Sequence, residues 1–361
     1  MTRHVDYPLL IITLILLAAG LLIIYSVSVD LSRKNFGTPY YYLLRQSIAA
    51  LVGLGGLWVG SLLPYKKWKK LALPLLLVSL LLVSAVFIPD LGFTFGGASR
   101  WLRAGPLSIQ PSEILKLSLI LYLASWLDRK KGQAKGFTSA FIPFLVVIGM
   151  VGILLVMQPD IGTLVTIGGS AAILYFLGGG RLLQLLTLVV LAAVALTAII
   201  RVVPYRMARF LVFLNPNLDP QGIGYHASQA LIAIGSGGFL GRGFGQSIQK
   251  FGYLPEPIGD SVFAVIVEEF GFLGGLAMAT LFFALFLRCI VIARRSPDFF
   301  SKLLTAGFAS LIAFQAFINM AAISGLLPLT GITLPFISYG GTSLVVTLTM
   351  MGIILNVSKH T

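Results

Sequence analysis

Apolar residues fall in long blocks along the whole chain, separated by short polar or basic connections. A helix needs about 20 apolar residues to cross a ~30 Å hydrocarbon core. Ten blocks approach that length and predict spans at 8–29, 43–62, 71–88, 109–127, 140–157, 161–177, 182–203, 261–293, 301–324 and 341–357. The pattern predicts an all-α polytopic membrane protein with about ten transmembrane helices. The first block is too long for a signal peptide and lacks a small-residue cleavage site, so it is expected to remain as an anchor. The eighth exceeds the thickness of a bilayer and predicts tilt or projection beyond it.

The connections give the orientation. Lys66, Lys67, Lys69 and Lys70 follow span two, Arg129, Lys130, Lys131 and Lys135 follow span four, Arg181 follows span six, and Arg294, Arg295 and Lys302 follow span eight. Alternating spans place all of them on one side. The positive-inside rule makes that side the cytoplasm and predicts both termini there. Residues 204–260 then form a long extracytoplasmic loop before span eight, and long connections are usually functional. The loop contains an apolar stretch, Ala227–Ile234, too short to span, followed by GSGGFLGRGFG. No repeat of 20–50 residues is visible.

Composition sharpens this. The chain has 361 residues, 57% hydrophobic and 11% charged, where soluble domains run near a quarter charged. That excludes a disordered chain and a soluble nucleic-acid binder. The net charge of +14 has two competing readings here, topology signals on the cytoplasmic side or an anionic, lipid-linked substrate. A single cysteine, Cys289, excludes an internal disulfide, and His4, His226 and His360 are too scattered to mark a metal site.

Charges within apolar blocks are costly, roughly 2.5–3.5 kcal/mol each at the bilayer centre on insertion scales, so they face partners or cavities. Glu113 and Lys116 lie three residues apart on one helix face, either as a packing pair or as the wall of a polar cavity. Ser112 or Ser108 is a candidate cap for that helix. Asp160, before an apolar helix, reads first as its N-cap. Glu268 and Glu269 differ by about 100° around a helix and so point to different partners; a structural role is favoured for both. Asp260 follows Tyr253-Leu254-Pro255-Glu256-Pro257-Ile258-Gly259, which two prolines and a glycine keep out of regular helix. There a carboxylate either caps span eight or meets both water and a lipid-borne substrate. Arg100, Arg103, Arg201, Arg206, Arg209, Arg242 and Lys250 together make the extracytoplasmic face attractive to anions, and arginine suits phosphate by its bidentate fork. The glycine-rich run lacks the strand-then-helix setting of a nucleotide loop.

Several segments together resemble the SEDS family of bacterial cell-wall polymerases, the RodA and FtsW proteins. They are Ala98-Ser99-Arg100-Trp101, PSEILKL (111–117), QPDIGT (158–163), QGIGYHASQALIAIGSGGFLGRGFGQSIQK (221–250), YLPEPIGDSVFAVIVEEFG (253–271) and GLLPLTGITLPFISYGGTS (325–343). The resemblance covers nearly the whole chain. It implies one membrane domain over 1–361 in the bacterial cytoplasmic membrane, with 204–260 as its long outer loop. The implied activity is peptidoglycan glycosyl transfer, in which lipid II is polymerised on the outer face and undecaprenyl diphosphate leaves. The resemblance further implies that Asp260 is the essential carboxylate and that Glu113 and Lys116 are the family's ion pair. The partner it implies is a class B penicillin-binding protein, joined by division-site proteins for an FtsW. The PEPIGDS form and the SGLLPLTGITLPFISYGGTS ending are more similar to FtsW than to RodA. Gly259-Asp260-Ser261 stands where a common family form has Thr-Asp-Phe, a departure that keeps the acid.

On this reading Asp260 acts as general base for an inverting transfer. Arg206, Arg209 and Lys250 are candidates to hold the leaving diphosphate, with Arg100 and Lys116 behind them. No dedicated metal site is visible, and a divalent cation is compatible with the chemistry. Two other classes share these features: a lipid II flippase, which would move unaltered substrate across a vesicle, and a non-catalytic division scaffold, which would tolerate loss of Asp260.

Overall fold

The computed structural model describes residues 5–89, 91–95, 98–104, 107–215, 218–219 and 221–361. His4 and parts of the 204–260 loop lie outside them. The chain is mostly helical, and among the described residues eight helices are long and apolar enough to cross a membrane. They are α1 (Tyr7–Phe36), α2 (Tyr41–Leu62), α3 (Tyr65–Ala85), α5 (Ile142–Met157, with a π turn at Phe137–Phe141), α7 (Leu182–Val202), α10 (Val262–Arg295), α11 (Phe299–Ile323) and α12 (Gly341–Ser358). The helices α4 (Pro111–Arg129) and α6 (Ile161–Leu177) coincide with the other two expected segments; α6 is short at 17 residues.

Three features depart from expectation. The helix α3 begins at Tyr65, so Lys66, Lys67, Lys69 and Lys70 occupy its first turns and not a loop. The long loop is partly helical, with α8 (Pro204–Leu214) and α9 (Ile223–Gly237), the latter covering the apolar stretch Ala227–Ile234. A small antiparallel sheet that the sequence pattern does not predict adds to the helical fold: β1 (Gly92–Phe95), β2 (Ala98–Ala104) and β3 (Leu107–Ile109), in that order. Its register pairs Leu102 with Ile109 and Arg103 with Ser108.

The core lies around α11 and α12, whose apolar windows are 78% buried, whereas that of α7 is 11% buried and sits at the periphery. In a bilayer apolar burial alone does not drive helix association, so close backbone contact does. On α2, Gly60 faces α12, and a Cβ there would lie 3.0 Å from the Ile353 amide nitrogen. A side chain at this position would force the two helices apart.

Polar contacts define the two ends of the bundle. At one end Asp6 pairs with Arg288 at 2.7 Å and its amide donates to Ser358 Oγ. Tyr65 donates to Asp298, Lys69 pairs with Asp128, and Lys359 donates to the Ser61 carbonyl. The described termini therefore meet at the end that carries the basic residues of α3, α4 and α10. The sheet, α8, α9, Asp160 and Asp260 belong to the opposite end.

Candidate active site

The expected span at 261–293 is not one helix. Gly271 has φ 69° and ψ −167°, which breaks α10 into Val262–Phe270 and Phe272–Arg295. A break inside a membrane protein leaves backbone groups that must find partners. The glycine-rich loop supplies them. The amides of Arg242 and Gly243 donate to the carbonyls of Glu268 and Glu269, and the amides of Phe272 and Leu273 donate to the carbonyls of Gly238 and Phe239. A Cβ at Gly271 would fall onto Phe239 and Gly241, and Gly241 itself has φ 82°. The glycines therefore serve a backbone-to-backbone seam and not an anion cradle.

Glu268 and Glu269 flank this seam with separate partners, as two side chains 100° apart must. Glu268 accepts from Ser247 Oγ (2.5 Å) and the Ile248 amide (3.0 Å), with Arg242 3.8 Å away. Glu269 accepts from Ser26 Oγ of α1 (2.7 Å) and from Lys250 Nζ (2.7 Å). This corrects the expectation that Lys250 binds a diphosphate. Its side chain is 5% exposed, and its three donors go to Glu269, Ser26 and the Gly245 carbonyl. A cation so enclosed requires its counter-ion, and removing one partner of such a pair costs about 3–5 kcal/mol.

The pinned loop leads into the turn that presents Asp260. Glu256 adopts φ 47°, a left-handed conformation that costs a non-glycine residue about 1–3 kcal/mol. Its carbonyl accepts from the amides of Gly259 and Ser261, while the Ile258 carbonyl accepts from Tyr339. Ser261, not Asp260, takes the N-cap position of α10. The Asp260 carbonyl is held by Asn319 Nδ2 of α11 at 2.8 Å, and the same amide reaches the Ile332 carbonyl. The Asp260 side chain keeps 13% exposure, with Oδ1 3.5 Å from Ser261 Oγ and 3.9 Å from His226 Nε2. Gly331 lies beside its other oxygen.

Burial pushes the Asp260 carboxyl up to about 6 against the pull of Arg209, which stabilises the anion. Burial also raises Glu256, with the Asp260 charge adding to it. His226 is pushed down to about 4, by burial first and then by Arg209. At neutral pH the cluster therefore holds an ionised Asp260 of unusual basicity, a neutral imidazole and a guanidinium.

The other expected residues lie elsewhere. Glu113 and Lys116 form a buried pair at 2.7 Å, and Lys116 also donates to Gln315 Oε1 of α11. Gln315 stands one turn from Asn319, so the pair is tied to the Asp260 carbonyl through one face of α11. The N-cap of α4 is Gln110, not Ser108 or Ser112; Ser112 instead donates to Asp160. Asp160 caps α6 by accepting the Thr163 amide. Arg100 is 3.8 Å from Asp160 and donates to the carbonyls of Gln158 and Pro159. Arg206 reaches the Val156 carbonyl. Two of the expected cations thus converge on the end of α5. Below that end, an apolar groove of about 790 Å³ runs between α3 and α5, lined by Leu77, Leu81, Val146, Met150, Ile153 and Leu154. Gln158 Nε2, just after α5, donates to the Val83 carbonyl of α3.

Sequence reasoning missed His226, Glu256, Ser261 and Asn319. The only signal was local for Glu256 and Ser261, which flank Asp260. His226 and Asn319 come from other helices. Among the described residues no three His, Cys, Asp or Glu side chains converge as metal ligands.

Comparisons with known proteins agree with this architecture. The profile of the FtsW, RodA and SpoVE family, described as "Cell cycle protein", matches residues 7–361. A Geobacter metallireducens protein named "Probable peptidoglycan glycosyltransferase FtsW" is 40% identical over 98% of this chain and 95% of its own. Stage V sporulation protein E of Bacillus subtilis is 38% identical over 98% and 97%. Among solved structures, a chain from work on structural coordination of polymerization and crosslinking by a peptidoglycan synthase complex superposes with a TM-score of 0.80 at 30% identity, covering 99% of this chain and 98% of that one. Rod shape determining protein RodA of Thermus thermophilus gives 0.70 at 28% identity, covering 98% and 96%. A multi-pass membrane fold, full-length identity near 40% and a matching profile place this chain in the FtsW/RodA/SpoVE family.

Proposed function

We propose that this protein is a peptidoglycan glycosyltransferase that polymerises lipid II, and that it serves cell division as FtsW proteins do. Asp260 is the general base. It removes the proton from the 4-hydroxyl of the acceptor N-acetylglucosamine. That oxygen attacks the anomeric carbon of the donor, the carbon–oxygen bond to the diphosphate breaks, and undecaprenyl diphosphate departs with its electron pair. Inversion converts the α-linked donor into a β-1,4 glycan. A general base is most effective with a pKa near the working pH, where it is both ionised and basic, and contributes about 10²–10⁴-fold. An Asp260 raised to about 6 and still partly exposed fits that requirement, and this observation carries the reading.

Arg209 acts on Asp260 electrostatically, and its positive charge could also stabilise the charge that develops on the leaving diphosphate. Arg100 and Arg206, at the end of α5, supply positive charge at the head of the α3–α5 groove. A polyprenyl diphosphate has the matching form, an apolar chain with an anionic head. The basic end of the bundle, where both described termini lie, faces the cytoplasm, and Asp260 faces outward. Likeness to a chain from a synthase complex supports a transpeptidase of the penicillin-binding class as membrane partner, acting with division-site proteins.

The test is Asp260→Asn in purified protein with lipid II, read as glycan on a gel. Loss of polymer by at least about 10²-fold is expected. Wild-type polymer from the variant would remove Asp260 from the reaction. Transport of unaltered lipid II by both proteins, with no glycan from either, would favour a flippase.

A further inference from the structure

His226, on α9, approaches Ser261 Oγ at 2.6 Å through Nε2, and Ser261 Oγ lies 3.5 Å from Asp260 Oδ1. Ser261 is fully buried and the His226 side chain is 18% exposed. The geometry points to a new role for these two residues: His226, through Ser261, is a positioning residue that sets the direction of the hydrogen bond received by Asp260. The inference rests on the reading of Asp260 as base.

A serine hydroxyl has a single proton to donate. If Ser261 spent it on His226, its lone pairs would face an ionised carboxylate, a repulsive arrangement. If His226 carries its proton on Nε2, it donates to Ser261 Oγ, and the Ser261 proton is free to point at Asp260 Oδ1. The anionic carboxylate therefore selects one tautomer of a neutral imidazole. His226 is kept neutral by burial and by Arg209, as this arrangement requires. The chain His226 → Ser261 → Asp260 then orients one carboxylate oxygen across a long contact of 3.5 Å and leaves the other, beside Gly331, to meet the acceptor hydroxyl.

The main-chain amides of Asp260 and Ser261 also donate to the carboxylate, so the Ser261 hydroxyl adds a side-chain donor to a backbone cradle. Arg209 stabilises the anion, Glu256 opposes it, and Asn319 holds only the main-chain carbonyl. Ser261 Oγ is the side-chain donor to the carboxylate that His226 can direct.

The experiment compares kcat, KM and the acid limb of the kcat–pH profile for the full-length protein in detergent, using lipid II. The variants are His226→Phe, which keeps the ring but cannot donate, His226→Gln, which can, Ser261→Ala, Ser261→Thr and Asp260→Asn. His226→Phe and Ser261→Ala are expected to lower kcat by about ten- to a hundredfold, the scale of a misoriented reacting group, with KM within about twofold. Losing a hydrogen bond to the charged form raises the carboxyl pKa, so the acid limb moves to higher pH in Ser261→Ala. His226→Gln and Ser261→Thr recover at least part of kcat. If His226→Phe does not fold, the Ser261 pair carries the same comparison. Wild-type kcat and pH profile in Ser261→Ala, with Asp260→Asn inactive, would overturn the positioning role and leave the base intact. Equal losses in His226→Phe and His226→Gln would reduce the contact to packing and overturn it as well. An active Asp260→Asn would remove the base reading, and this inference with it.

Discussion

At the scale of single residues, Asp260 sets function against stability. Its carboxyl is held near 6 in the folded protein, against 3.8 for an ordinary aspartate, with burial as the main cause. The native state therefore holds this proton more tightly than the unfolded chain does. Between about pH 4 and 6 the native state loses stability as pH rises, and above 6 the full cost of the buried anion is present. At 1.36 kcal/mol per pKa unit the cost is about 2–3 kcal/mol. Asp260→Asn removes the charge, so the inactive variant should unfold at a higher temperature than wild type at pH 7.5. The gap should shrink as pH falls toward 4. A differential thermal scan of detergent-solubilised protein across that range checks it, and a variant less stable at every pH would contradict the sign. Local sequence marks Asp260 as a position that two prolines and a glycine keep out of helix, with an N-cap as the equal alternative, and the family resemblance singles it out. Its environment was not visible in the sequence, since His226 lies 35 residues from Ser261 and Asn319 lies 59 residues from Asp260. Lys250 shows the opposite failure. Sequence gives its charge but not the Glu269 and Ser26 side chains that consume it.

At the scale of elements, apolar blocks showed where helices lie but not where they break. The Gly271 break had no distinct signal, because glycines also occur within intact membrane helices, as at Gly168 of α6. The break is fixed by tertiary pairing of α10 with the loop after α9, which local pattern does not encode. The sheet was missed for a related reason: its strands, of 4, 7 and 3 residues, are too short for a period-two pattern to stand out beside apolar blocks. Gly271→Ala should therefore be severe. It places a side chain at φ 69° and drives a Cβ into the backbone of Phe239 and Gly241. The left-handed conformation alone costs about 1–3 kcal/mol, and the seam that orients Glu268 and Glu269 opens as well. Gly168→Ala, where a Cβ would meet nothing within 4 Å, should leave the melting temperature unchanged or slightly raised. Equal behaviour of the two variants in a thermal scan would show that the seam is not structural.

At the scale of the whole molecule, the bundle sets a fixed end carrying the basic residues against an end built from broken helices, short strands and loops. The α3–α5 groove joins the apolar exterior to that second end. Its Arg100 and Arg206 head makes it the candidate path for a polyprenyl chain, and the bilayer sets how strongly filling it should matter. Lipid tails are as apolar as the groove, so a prenyl chain gains little from leaving them. What the groove offers is packing and placement of the diphosphate. Leu81→Trp with Ile153→Trp, two exposed lining positions, should therefore weaken lipid II binding by only about 1 kcal/mol, roughly a fivefold rise in KM. The decisive comparison is a lipid II analogue with a short prenyl chain that ends before these positions. For it, wild type and variant should have the same KM, because the variant removes contacts that the short chain never makes. A similar KM rise for both substrates would mean that the tryptophans act on the protein and not on the chain. An unchanged KM for native lipid II would move the prenyl path to another face of the bundle.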